Sequence, residues 1–292
     1  MKDIVLRSVG IHDGKFHADE VTACAFLIMC GCIDRDKIVR TRSYSELSRC
    51  EYRCDVGGEY DPASKNFDHH QASYRGAMSS AGMILLYLKD EGLLTPEEYD
   101  LFNDAFVRGV DAHDNGIITQ EDGTMTLSHV VSGYNTIDGG ASSETKDAKF
   151  YEALDFVYGV IERLREGYEY AKSCHSVVAE QMALSERFLI FDAAVPWQEP
   201  FFELGGKEHP ALFVVMPCDG KWKLRGIPPS YNDMEVRVPF PESWAGLLGD
   251  ELREVSGIPG AVFCHKGKFI AIFKTKEAAL AALDYVLNKE CL

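Results

Sequence analysis

Residues 4–20 read Ile-Val-Leu-Arg-Ser-Val-Gly-Ile-His-Asp-Gly-Lys-Phe-His-Ala-Asp-Glu, and this stretch decides the fold. Its first half, Ile4 to Ile11, predicts a strand, and an apolar segment from Ala18 to Cys32 predicts a buried helix. The six residues between them turn the chain from strand to helix. Strands that alternate with helices in this way indicate a parallel sheet.

The alternation continues after the first helix. Short strands are predicted at Ile38 to Thr41 and at Arg53 to Val56, and Gly57-Gly58 after the second of them predicts a tight turn. Helical periodicity follows over residues 79–110, which Ser79-Ser80 would cap, and over 145–186. We therefore expect an α/β fold with a doubly wound, mainly parallel sheet.

The pattern changes near residue 187, where prolines and glycines become frequent. A smaller α+β domain is predicted there, so we expect domains at 1–186 and 187–292. Its predicted elements are strands at Phe188 to Phe191, Ala211 to Met216, Lys221 to Ile227, Ala261 to His265 and Phe269 to Phe273, and a closing helix at Lys276 to Leu287.

Composition narrows the class of protein. The net charge of −16 argues against a general nucleic-acid coat protein, because such binding depends on phosphate neutralisation. No apolar run approaches the roughly 18 residues of a membrane span, and the N-terminus lacks the apolar core of a signal peptide. The nine cysteines are odd in number and form no C-x-x-C pair, which favours reduced thiols. We expect a cytoplasmic protein with no membrane partner.

Histidines and aspartates cluster where strands and helices end. Ligands of open parallel sheets bind at the carboxyl ends of the strands, and imidazole with carboxylate is the donor set for manganese, iron, cobalt or zinc. The grouped residues are His12, His17 and Asp19; Asp55; Asp68, His69 and His70; and Asp111, His113 and Asp114.

In this order the clusters resemble the four-motif pattern of the DHH phosphoesterase superfamily. The resemblance is closest to the melanocyte-proliferating-gene exonuclease family, long described as uncharacterised metal-dependent hydrolases. It spans nearly the whole chain. The phrases that carry it are residues 12–20 (HDGKFHADE), 55–62 (DVGGEYDP), 68–71 (DHHQ), 79–82 (SSAG), 110–116 (VDAHDNG), 244–247 (WAGL) and 256–258 (SGI).

The resemblance implies a role for each matched residue. Two divalent cations are implied, with manganese preferred and magnesium or cobalt as alternatives. Asp55 would bridge them; the other implied ligands are His12 and His17 for one cation, and Asp19, His69 and Asp111 for the second. The implied catalytic residues are His70, which would contact phosphate or the leaving group, and Asp68, which would orient a neighbouring imidazole.

Three positions leave alternatives open. Many relatives in the superfamily carry aspartate where His17 stands, which changes the charge of the site. Asp114 competes with Asp111 for the ligand role, and we favour Asp111. Asp13 and Glu20 are interpreted as helix-start residues that favour the helix dipole, with a direct role in the site as the alternative.

In the second domain, Arg225, His265 and Lys268 are predicted to bind substrate. Arg225 lies in an alternating basic pattern with Lys221 and Lys223, which places all three on one strand face. His265 and Lys268 lie in residues 260–276, a stretch that contains no acid. Where relatives have a glycine-rich turn after this histidine, the chain reads Lys-Gly-Lys. A solvated basic edge is the alternative.

Our leading hypothesis is a metal-dependent hydrolase that cleaves single-stranded RNA from its end in the 3′→5′ direction. A hydrolase of small phosphates, such as pyrophosphate, short oligonucleotides or cyclic dinucleotides, is the first alternative. A non-catalytic metal-stabilised binding module is the second. The expected partner is single-stranded nucleic acid or a short oligonucleotide, and a homodimer is left open.

Overall fold

The computed structural model describes residues 3–118, 121–185 and 187–289. It divides into two compact units, Met1–Glu166 and Gly167–Leu292. The domain boundary predicted at residue 186 falls on a residue outside the described part of the chain, so that assignment stays a prediction.

The sheet of the first unit is mainly parallel, as predicted. Its order is β2-β1-β3-β5-β4, and only β4 runs antiparallel to its neighbour. The strands β4 and β5 were not predicted, because two residues are too few to show an alternation of apolar and polar side chains. The strands are β1 (Val5–Ile11), β2 (Ile38–Arg40), β3 (Cys50–Cys54), β4 (Tyr60–Asp61) and β5 (Asn66–Phe67).

Among the described residues of the first unit, seven α-helices begin. They are α1 (Ala18–Met29), α2 (Tyr44–Leu47), α3 (Ser80–Asp90), α4 (Pro96–Phe102), α5 (Arg108–Asp114), α6 (Leu127–Gly133) and α7 (Ser143–Ser173). The helical region predicted over 79–110 is divided, since Thr95 caps a new helix with Pro96 in its first turn. A π-helical turn, Asn103–Val107, joins α4 to α5.

The second unit is the predicted small α+β fold. Its sheet order is β6-β7-β8-β10-β9, and only β6 and β7 are parallel. Trp244 and Phe273 lie fully buried in one of its cores, and Phe201 in another. The elements are α8 (His175–Leu184), β6 (Phe188–Ile190), α9 (Gln198–Glu203), β7 (Phe213–Cys218), β8 (Lys221–Gly226), α10 (Gly249–Ser256), β9 (Ala261–Cys264), β10 (Ile270–Phe273) and α11 (Lys276–Lys289).

No helix in the described part of the chain is both long enough and apolar enough to cross a membrane.

Candidate metal centre

Two neighbouring parallel strands bring the first two predicted ligands together. His12 directly follows β1, and Asp55 directly follows β3. The register pairs Gly10 with Arg53, so the two residues leave the same edge of the sheet. Both are buried, with 4% of their surface exposed. The strand pairing alone therefore places an imidazole beside a carboxylate.

The carboxylate of Asp55 lies at the centre of the cluster. Its Oδ2 lies 3.1 Å from Nε2 of His12, while its Oδ1 lies 3.5 Å from Nε2 of His69 and 3.2 Å from Nδ1 of His70. The backbone of Asp55 is left-handed, with φ at 55°. This conformation is unfavourable for a non-glycine residue, and such strain concentrates at functional sites.

A second group of donors surrounds the imidazole of His69. Its Nε2 lies 3.0 Å from Oδ2 of Asp114 and 3.9 Å from Oδ2 of Asp19. Ligand atoms of His17, Asp19 and Asp114 lie within 4.8 Å of one another. The ligand atom of His17 also lies within 4.8 Å of those of His12 and Asp55, so His17 belongs to both groups.

Asp111 is the predicted ligand that the structure does not bring into the cluster. Its Oδ1 accepts hydrogen bonds from the backbone N–H of Ser79 (3.0 Å), the hydroxyl of Ser79 (2.7 Å) and the backbone N–H of Gly82 (3.1 Å). Asp111 thus caps the start of α3, a place where a carboxylate is favoured. This geometry favours Asp114 over Asp111 as the ligand, and the choice between them stays a proposal.

Glu20 is a member of the cluster that the sequence reasoning treated mainly as a helix-start residue. It is fully buried, and its Oε1 lies 3.1 Å from Nε2 of His12. Both its oxygens also accept the backbone N–H of His17 at 3.0 Å. The available signal was the i,i+3 spacing of His17 and Glu20, which is the spacing of a helix cap and the glutamate of a capping box.

Asp68 and His70 lie beside Asp55. Oδ1 of Asp68 lies 2.9 Å from Nδ1 of His70, and its Oδ2 accepts the backbone N–H of Gly58 at 2.6 Å. Gly57 and Gly58 both have positive φ, which confirms the predicted tight turn. The His70 side chain is 65% exposed, so solvent and ligands can reach it.

Several buried side-chain oxygen and nitrogen atoms of the cluster have no hydrogen-bond partner. They are both oxygens of Asp19, Oδ1 of Asp55 and Nε2 of His69. The last lies near Asp114 but not in hydrogen-bond geometry. Buried polar atoms are rarely left in this state unless something else satisfies them, and buried charges are paired or bind metals. The donor set therefore fits divalent cations.

The distances also fit a shared cation. Two ligand atoms bound about 2.1 Å from one ion at right angles lie about 3 Å apart. His12 Nε2 lies 3.1 Å from Asp55 Oδ2, which matches that separation.

Electrostatics in the cluster favours added positive charge. Burial alone would lower the pKa of His12, but hydrogen bonds to Asp55 and Glu20 outweigh it and raise the pKa to about 10. For His69, burial also opposes the charge, and the carboxylates of Asp114 and Asp55 raise the pKa to about 10. Burial, reinforced by Asp55 and Glu20, raises the pKa of Asp19 well above its ordinary range.

The segment that carries His12 and His17 is held in place by side chains from elsewhere in the unit. Asn135 accepts the backbone N–H of Phe16 at 3.1 Å and donates to its carbonyl at 2.9 Å. Arg40 donates to the carbonyl of Gly14 at 2.7 Å. These bonds fix the backbone directly before His17.

A cavity of about 330 Å³ opens beside the cluster. Its lining combines cluster residues with side chains of α5 and α6. They are His17, Ala18, Asp19, His70, Val110, His113, Asp114, Ser128 and Ser132.

The three predicted substrate-binding residues of the second unit lie near one turn of its sheet. Arg225 pairs with Ile270 across β8 and β10, and the backbone N–H of His265 donates to the carbonyl of Ile270. Arg225 donates to the Gln198 side chain at 3.2 Å, and its buried Nε has no hydrogen-bond partner. Lys268 is ion-paired with Glu242, an acid outside the acid-free stretch.

Solved structures offer only a weak comparison. The crystal structure of RecJ in complex with Mn2+ from Thermus thermophilus aligns with 96% of this chain and 52% of that longer chain. The TM-score is 0.27 and the sequence identity 13%, which does not establish a shared fold.

Sequence comparison is much stronger. The MYG1 protein of Chlamydia muridarum (strain MoPn / Nigg) is 50% identical over 285 residues, which cover 97% of this chain and 98% of that protein. The MYG1 exonuclease of Homo sapiens is 34% identical over 316 residues, which cover 94% of this chain and 84% of that protein. The MYG1 exonuclease family model, described as an uncharacterised protein family (UPF0160), matches residues 8–285. The chain therefore belongs to the MYG1 exonuclease family.

Proposed function

We propose that the chain is a metal-dependent phosphodiester hydrolase that acts as an exonuclease. The observation that carries the proposal is the convergence of unpartnered, buried donor atoms from Asp19, Asp55 and His69 at the ends of β1 and β3. The name of the human relative, MYG1 exonuclease, supports the same activity.

The ligands divide between two cation positions that share Asp55. His12 and His17 would hold one cation with Asp55; Asp19, His69 and Asp114 would hold the other with Asp55. Two cations bound there would polarise a water molecule and offset the charge that develops on the phosphoryl oxygens.

The chain's own residues would then orient the substrate. His70 is exposed beside Asp55, so we assign it to contact with a phosphate oxygen or the leaving group. Asp68 is a positioning residue: its carboxylate contacts Nδ1 of His70 and is itself fixed by the Gly58 N–H. This pairing sets the ring orientation and leaves Nε2 of His70 for the substrate.

The finer assignments are part of the proposal. Manganese is the preferred ion because imidazole and carboxylate donors suit it, and single-stranded RNA degraded 3′→5′ in the cytoplasm is the preferred substrate and setting. Arg225 and the nearby His265 support a binding role for the second unit, since both are nitrogen-bearing side chains in the same part of its sheet.

One observation favours a hydrolase of small phosphates as the second candidate. Lys268 and Lys276, two lysines of the basic stretch, are already paired with Glu242 and Asp192. Less positive charge is therefore available for a long polyanion than the sequence suggested.

The decisive experiment is hydrolysis of bis(p-nitrophenyl) phosphate by metal-stripped protein with and without added Mn2+. Turnover that appears with Mn2+ and disappears with chelator supports the enzyme. Binding of Mn2+ without turnover of any phosphoester would instead identify a non-catalytic metal-binding module. Among active outcomes, comparing RNA of ten or more nucleotides, dinucleotides and pyrophosphate separates the two enzymes.

A further inference from the structure

Glu20 performs the helix-start role that its sequence position predicts. It is the third residue of α1, and both its carboxylate oxygens accept the backbone N–H of His17 at 3.0 Å. This is half of a capping box, in which a glutamate or glutamine satisfies the first free N–H of a helix. A glutamine would serve equally well here, so capping alone does not require the charge.

The same carboxylate faces His12 from inside the protein. Nδ1 of His12 lies 2.9 Å from the carbonyl of Asp13, and because a carbonyl only accepts, that nitrogen carries a proton. In the neutral ring the lone pair is then on Nε2. This atom lies 3.1 Å from both Oε1 of Glu20 and Oδ2 of Asp55.

A second capping box in the unit shows how a buried glutamate is normally compensated. Glu98 occupies the same position in α4, where it accepts the backbone N–H of Thr95. Its other oxygen is paired with Arg165 at 2.9 Å. Within the described ranges, no lysine or arginine ion pair is found for Glu20, although it is fully buried. Burying a carboxylate without a compensating charge is costly, and the group that Glu20 faces is the imidazole of His12.

We propose that Glu20 is a ligand of the first cation, together with His12, His17 and Asp55. Ligand atoms of these four residues lie within 4.8 Å of one another. The inference rests on the proposed metal-dependent function. The added carboxylate makes this position a site of two imidazoles and two carboxylates, which suits Mn2+, Fe2+, Co2+ or Zn2+ better than Mg2+. The other position has three carboxylates and one imidazole, so its set of ligand atoms is chemically harder.

Glu20→Gln separates the two roles of this side chain. Glutamine keeps the bond to the N–H of His17 but loses the charge, so the metal-free protein should still fold. Mn2+ binding, followed by calorimetry and electron paramagnetic resonance on metal-free protein, should weaken about tenfold or more at one of two sites. The other site should keep its affinity.

Glu98→Gln is the matched control, because it makes the same change at the same position of another helix. It should lower the thermal midpoint through the loss of charge opposite Arg165, yet bind two Mn2+ ions as wild type does. Should E20Q fail to fold, Glu20→Asp decides: it keeps the charge but draws the oxygens back, and weakened Mn2+ binding at one site is expected.

Wild-type Mn2+ affinity at both sites in E20Q, or in a folded Glu20→Asp when E20Q does not fold, would overturn the ligand role. A wild-type protein that binds two ions but hydrolyses no phosphoester would refute the proposed function and leave the ligand assignment standing. A wild-type protein that binds no divalent cation would overturn both.

Discussion

Nε2 of His12 lies 3.1 Å from Oδ2 of Asp55, across two strands that are parallel neighbours in the sheet. His12 and Asp55 each lie two residues after the paired residues Gly10 and Arg53, one residue past the end of their strands. The other oxygen of Asp55 faces His69 and His70. Asp55 is therefore a carboxylate in contact with imidazoles from both sequence clusters.

Asp55→Asn should weaken the binding of both cations. Replacing the shared carboxylate removes one negative charge from each position, whereas His69→Ala removes a donor from only one. Isothermal calorimetry with Mn2+ should show two weakened sites in the first variant and one in the second. The matched control is Asp34→Asn, a surface carboxylate paired with Arg7 and Lys37, which should bind as wild type. Two intact sites in Asp55→Asn would refute the bridging assignment.

Asp111→Asn and Asp114→Asn should differ in their effect on metal binding. Asparagine at 111 keeps an oxygen for the N–H groups of Ser79 and Gly82, so metal binding should survive. Asparagine at 114 loses a charge beside His69 and should weaken one Mn2+ site about tenfold or more. Asp111→Ala, which leaves buried donors unsatisfied, should lower the free energy of unfolding by roughly 2–3 kcal/mol. Metal loss in Asp111→Asn, with none in Asp114→Asn, would restore the original assignment.

The sequence predicted most of the cluster and favoured Asp111, although no local signal distinguishes these two aspartates. Asp111 and Asp114 are three residues apart on one helix, so local pattern treats them alike. What separates them is the contact of Asp111 with the start of α3, which is 32 residues away at Ser79. Similarly, residues 260–276 contain no acid, yet Lys268 donates a hydrogen bond to the carboxylate of Glu242, which lies 26 residues earlier. Tertiary contacts of this kind leave no periodic signal.

Cation binding should strengthen as pH rises. The pKa values of His12 and His69 are raised from about 6.5 to about 10, so both imidazoles are protonated at neutral pH without metal, and a cation must displace those protons. In the metal-free protein, the stability contributed by the protonated rings is fully present below about pH 6.5 and is lost as pH rises through about 10. Thermal midpoints at pH 6.5, 7.5 and 8.5 should therefore fall without Mn2+, while the increase caused by Mn2+ should grow. An increase that is independent of pH would contradict this linkage.

Arg225→Ala and His265→Ala should impair long substrates more than small ones. If these residues hold phosphates beyond the scissile bond, their loss should reduce kcat/KM on RNA but leave bis(p-nitrophenyl) phosphate almost unaffected. The salt dependence on RNA should also become shallower, because fewer counterions are released. Lys207→Ala, an exposed basic residue of the same unit, is the control. Equal losses of kcat/KM on both substrates would place the residues in the catalytic centre. No loss on either substrate would mean that these residues do not bind substrate.

The most direct test of the account is a Mn2+ titration of the metal-free wild-type protein, followed by electron paramagnetic resonance. A centre that shares Asp55 predicts two bound ions about 3.5–4 Å apart, close enough for their spins to couple. The account predicts a stoichiometry of two and a spectrum broadened by that coupling. A single bound ion, or two ions with uncoupled spectra, would contradict it.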